Sequence, residues 1–99
     1  MSFNIEFDPK AELEFSDAFY WYEKRTEGLG FRFRFSVLKQ ITYISKNPLH
    51  YPNKKRDFRE CKIDDFPYLI VYKVYPEQNF IIIISIFHTS RKPSKKYKQ

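Results

Sequence analysis

His88 and Arg59, with Arg91 and Lys55, are the side chains here whose types suit cleavage of an RNA phosphodiester without a metal. Attack by a 2′-hydroxyl needs a group to take its proton, cations to hold the charge that builds on phosphorus, and an acid for the leaving oxygen. His88 closes the last apolar stretch of the chain, and an ordinary imidazole, with a pKa of about 6.5, exchanges protons near neutrality. A structural residue at a strand end is an equally good reading of it. Arg59 offers a planar fork that grips phosphate through two bonds, or a salt bridge to Glu60 or Asp57. Lys54, Lys55 and Arg56 form a basic run before it, and Arg91 and Lys92 follow the last strand. Both groups are candidates for binding nucleic acid or another target, and the run also reads as an ordinary solvated loop. His50, Tyr68, Tyr72 and Cys61 read best as structural, the last as a small buried hydrophobe.

Other chemistries find little support. One cysteine and two scattered histidines give neither a disulfide nor a metal-binding spacing, so neither metal nor cofactor is expected. The longest apolar run, Phe80 to Ile84, is far below the roughly 20 residues of a membrane span. The first residues lack the basic and apolar regions of a secretory signal, which predicts a cytoplasmic protein. The net charge of +6 is uneven: residues 1–24 carry two bases and six acids, residues 25–62 ten and three, and residues 63–99 six and three. The segment charges of −4, +7 and +3 that follow place the basic surface after the first helix. A polyanion or an acidic protein segment is the partner this suggests.

These groups must be positioned by a small α+β domain over residues 1–91, with 92–99 as a basic flexible tail. Phe3, Ile5 and Phe7 alternate with polar residues, as in a half-buried strand over Ser2 to Phe7. Asp8 and Pro9 start a helix that runs to Arg25, with Glu12 and Glu14 favoured by the positive end of its dipole and Ala11, Phe15, Ala18, Phe19 and Tyr22 as its apolar stripe. After Gly28-Leu29-Gly30 a second helix reaches Lys46, with Phe31, Phe35 and Leu38 on one line and Phe33, Val37, Ile41 and Ile44 on another. So wide an apolar surface on a helical hairpin is expected to lie on a sheet. Strands follow at Phe58 to Ile63, Pro67 to Tyr75 and Phe80 to His88, with short links that imply an antiparallel meander. The last strand is apolar on both parities, Phe80, Ile82, Ile84 and Ile86 against Ile81, Ile83 and Phe87. Either its second face meets a partner or curvature of the sheet buries it.

Several segments, in this order, resemble the RelE/ParE superfamily of toxins from bacterial type II toxin–antitoxin modules. They are Phe19-Tyr20-Trp21-Tyr22-Glu23, Gly28-Leu29-Gly30-Phe31-Arg32-Phe33, Ile44-Ser45-Lys46-Asn47-Pro48 with Tyr51-Pro52, Phe58-Arg59, Phe66-Pro67-Tyr68 with Ile70-Val71-Tyr72, and Phe87-His88-Thr89-Ser90-Arg91-Lys92-Pro93. The spacing looks like the ParE-type, plasmid-stabilisation branch. The resemblance implies a β-α-α-β-β-β fold, a helical hairpin on a mainly antiparallel four-stranded sheet. It also implies a cognate antitoxin, encoded next door, in a toxin–antitoxin hetero-oligomer. An acidic antitoxin segment is expected over the basic surface between Arg59 and Arg91. Members either poison DNA gyrase or cut mRNA on the ribosome as endoribonucleases. Sheet-facing bases are sparse here, Lys73 and His88 alone on the last two strands, which favours a gyrase-type growth inhibitor. The alternatives are a ribosome-dependent ribonuclease using His88 and Arg59, with Lys55 and Arg91 binding phosphate, and a member that still binds its antitoxin but poisons nothing.

Overall fold

The computed structural model describes residues 2–92 and 96–97. The chain runs β1 (Asn4–Phe7), α1 (Pro9–Arg25), α2 (Leu29–Lys46), β2 (Arg59–Lys62), β3 (Tyr68–Tyr75) and β4 (Phe80–His88). The order, both helices and β4 are those read from the sequence, while β1 to β3 are one or two residues shorter. The Asp8 side chain accepts the Lys10 N–H and Pro9 opens α1, so the strand-to-helix turn caps itself. At the next turn Gly28 takes a left-handed φ of 86°, and the Glu23 carboxylate accepts the N–H groups of Gly28 and Gly30, each at 2.9 Å. A side chain of α1 thus satisfies orphan donors at the start of α2.

The sheet order is β1-β4-β3-β2, with β1 parallel to β4 and the other pairs antiparallel. The hairpin covers one face, where Ala11, Ala18, Phe33, Val37, Ile41 and Ile44 meet Cys61, Ile70, Tyr72, Ile81, Ile83 and Ile86. Only one of the two apolar lines of α2 therefore lies on the sheet; the line of Phe31, Phe35 and Leu38 faces away. The parity expected for β4 also changes. Val71 pairs with Ser85 but Tyr72 with Ile83, so Ile84 is the extra residue of a bulge. Beyond it the faces exchange, and Ile86 joins Ile81 and Ile83 beneath the helices while Phe87 joins Ile84 on the other side.

That other side is covered from within the chain. Phe58, Val71, Ile84 and Phe87 form a second cluster against which Tyr97 packs. The Tyr97 ring stacks on Phe58 at 5.0 Å, its hydroxyl donates to Glu60, and the Lys96 ammonium lies 3.0 Å from the same carboxylate. Flexibility was expected for all of 92–99. Lys96 and Tyr97, within that stretch, make these contacts with Phe58 and Glu60; 93–95 and 98–99 lie outside the described residues.

Two phenols, Tyr72 buried and Tyr97 partly so, give the fold an alkaline limit. Tyr72 donates to the Pro48 carbonyl at 3.0 Å, and burial pushes its pKa up to about 12. Burial, then the Glu60 carboxylate, raises Tyr97 to about 12. Both values lie above the ordinary 10.0, so the neutral phenols stabilise the fold fully below pH 10 and that contribution is lost as pH rises through 12. Denaturation midpoints followed by circular dichroism should hold steady to about pH 9 and fall steeply between 10 and 12. Tyr72→Phe should make the fall shallower.

Candidate functional site

β1 ends opposite Ile83, and Asp8, whose N–H donates to the Ile83 carbonyl, turns the chain into α1. Beyond that point β4 has lost its outer strand neighbour. Glu14, in the second turn of α1, takes the place: its Oε1 accepts Ser85 Oγ at 2.8 Å and the Ile86 N–H at 3.0 Å. Its Oε2 lies 3.3 Å from Arg91 Nη1. The carboxylate reaches this position because residue 14 stands three after Ala11 and four before Ala18, on the flank of the buried stripe. That carboxylate at helical spacing among buried alanines was the signal available for Glu14, which the sequence had otherwise offered only as a favourable charge near a helix start.

Glu14 forms part of a cleft of about 600 Å³ between α1 and the end of the β3–β4 pair, lined also by Asp17, Trp21, Tyr22, Tyr68, His88 and Arg91. His88 is half-buried, and Tyr68, its partner across the strands, meets its ring edge-on at 5.0 Å. The Ser90 N–H donates to His88 Nδ1 at 3.1 Å, with Ser90 Oγ 2.7 Å from the same nitrogen. An Nδ1 that accepts leaves the neutral ring protonated at Nε2. His88 thus shares the cleft's lining with Glu14 and Asp17 while its Nδ1 is engaged by Ser90.

Arg59 does not join it. Arg59 pairs with Tyr72 on one side of β3, whereas His88 pairs with Tyr68 on the other side. Four residues of strand separate these positions by about 13 Å along β3 alone, before the width of two strand spacings is added. The Arg59 guanidinium donates to the Tyr51 carbonyl and thereby ties the loop after α2 to β2. Lys54, Lys55 and Arg56 are exposed in that loop, on the Arg59 side, where Arg56 and Asp57 adopt φ values of 51° and 68°. Arg91 and Lys92 are exposed at the other end. Two separate basic patches result, and the one at Arg91 borders the acids Glu14 and Asp17. Among the described residues, no cluster of His, Cys, Asp and Glu is placed to hold a metal, and no helix is long and apolar enough to cross a membrane.

The outer surface of the hairpin is of a different kind. Leu13, Tyr20, Phe31 and Phe35 are 62%, 60%, 56% and 69% exposed, and Leu38 extends the row. Phe19 links the helices across it, its ring 5.0 Å from Phe31 and 5.2 Å from Tyr20. Exposed apolar surface of this extent on a small domain is a candidate for contact with another molecule.

Residues 5–93 match the family model for the ParE toxin of the parDE type II toxin–antitoxin system. No curated protein matches closely enough to count as a relative. Among solved structures, the chromosomal ParDE toxin–antitoxin system of P. aeruginosa contains a chain that superposes with a TM-score of 0.73 at 13% identity, over 90% of this chain and 98% of that one. A chain of the intact E. coli RelBE toxin–antitoxin complex gives 0.70 at 24% identity, over 91% and 100%. The isolated E. coli RelE toxin gives 0.69 at 20% identity, over 94% and 90%. At such identities the structural likeness is one of fold.

Proposed function

The chain belongs to the ParE toxin family of type II toxin–antitoxin systems, and from that premise we propose that it inhibits growth by binding DNA gyrase and is held inactive by a cognate antitoxin. The observation that carries this reading is the exposed aromatic row of the hairpin, a surface suited to a protein target and of no evident use to an isolated monomer. The separation of His88 from Arg59, and the carboxylates beside His88, speak against a phosphodiester-cleaving centre built from these residues. The target and the antitoxin are both cytoplasmic in this reading. Its basic patches, Lys54 to Arg56 and Arg91 with Lys92, serve in steering an acidic partner.

Inducible expression without the antitoxin tests the reading directly. Stalled supercoiling and a DNA damage response with intact mRNA are the expected result; rapid mRNA cleavage on the ribosome would replace it with the RelE-like endoribonuclease. Variants sharpen the test. Phe35→Asp, at an exposed site, should keep the fold and weaken growth inhibition roughly tenfold, as truncation of an interface anchor does. His88→Ala and Arg59→Gln, checked for folding by circular dichroism, should leave inhibition within about twofold, since neither side chain is then asked to stabilise a transition state. The reverse pattern would indicate the ribonuclease.

A further inference from the structure

Glu14, Asp17 and Trp21 stand three and seven residues apart and so share one side of α1. That side is a wall of the 600 Å³ cleft; Tyr68 of β3 and His88 of β4 supply the facing surface, and Tyr22 of α1 also lines it. In a chain of net charge +6 this wall is acidic and aromatic. Such a surface repels phosphate and carboxylate and attracts a cation that can also lie against a ring.

Two arginines of the chain itself already display the chemistry at the rim. The Arg91 guanidinium sits 3.3 Å from Glu14 Oε2, and the Arg25 guanidinium lies 3.9 Å from the centroid of the Trp21 ring. Asp17 lies between these two, is exposed, and makes no hydrogen bond or ion pair with another described residue. We propose that the cleft receives an arginine side chain from a bound polypeptide, with the Asp17 carboxylate taking its guanidinium and Trp21 and Tyr68 flanking it. A planar, weakly hydrated guanidinium satisfies both features at once, donating in pairs to a carboxylate and stacking on a ring, whereas a compact ammonium does so poorly. That the arginine comes from a protein rests on the partner-binding reading above; the cleft's preference for the cation does not.

Trp21 is the single tryptophan of the chain, so its fluorescence reports on this cleft without a label. Titration of the purified protein with the capped peptide Ala-Ala-Arg-Ala-Ala should give a saturable change. The same peptide with citrulline, which keeps the shape and removes the charge, should bind roughly tenfold more weakly. Asp17→Asn should weaken the arginine peptide about fivefold, the loss of one partly exposed ion pair, and added salt should do likewise. No saturable response, an equal response to citrulline, an unaltered response in Asp17→Asn, or tighter binding of a Glu-centred peptide would each overturn the proposal. A chain that binds the arginine peptide yet cuts mRNA in cells would overturn the gyrase reading alone.

Discussion

Alanine in place of Gly30 should cost the fold about 3 kcal/mol, at the upper end of what one added methyl does in a tightly packed interface. A Cβ at this position would lie 2.6 Å from the Phe19 carbonyl oxygen, 2.9 Å from Glu23 Cβ and 3.0 Å from Glu23 Oε1. The nearest of these is helix backbone, so relief means moving α1 away from α2. That movement also stretches the two hydrogen bonds by which Glu23 caps the start of α2. Gly28 makes the comparison: its Cβ direction is open space and only its φ of 86° opposes a side chain, so alanine there should cost about 1 kcal/mol. Urea denaturation of the two variants separates the cases. Equal losses would mean that the helices part freely and that the close crossing contributes little.

Glu14→Ala should be comparably damaging, about 3 kcal/mol, for a different reason. It leaves Ser85 Oγ and the Ile86 N–H, both within a buried stretch of β4, without their acceptor, and each such orphan costs on the order of 1–3 kcal/mol. Glu14→Gln retains an acceptor oxygen and gives up only the pair with half-exposed Arg91, so its loss should stay within about 1 kcal/mol. Amide exchange at Ile86, read by NMR, should accelerate in the alanine variant and much less in the glutamine variant. A stable Glu14→Ala protein with a protected Ile86 amide would show that another group can stand in for the missing strand neighbour.

Local pattern in the sequence carried the element order, both helices and β4, because each rests on signals a few residues long: the Asp8-Pro9 cap, the 3.6-residue stripe, the apolar run bounded by Asn79 and Thr89. The family, too, was legible from short segments in order. What escaped depends on contacts between distant parts of the chain. Strict alternation assigned Ile86 to the wrong face of β4, since the bulge at Ile84 exists only in register with β3. Both lines of α2 were expected on the sheet, yet a helix presents only one side to a flat surface. Arg59 and His88 suited a common reaction by residue type, and the strand register that separates them is set by β3, which neither belongs to. Glu14 looked like a helix-start charge until the end of β1 gave it a strand to complete.

The parallel pairing of β1 with β4, Asn4 against Phe80 and Phe7 against Ile83, joins the first and the last of the sheet's four strands in chain order. β4 also lies between β1 and β3, so the last of the four strands in chain order is the one both neighbours require. Until β4 is made, a nascent chain holds a helical hairpin whose sheet-facing side has nothing complete to rest on. Closing so long a loop is slow relative to forming local helices. Premature termination anywhere before β4 therefore yields a chain that lacks the strand joining β1 to the rest of the sheet.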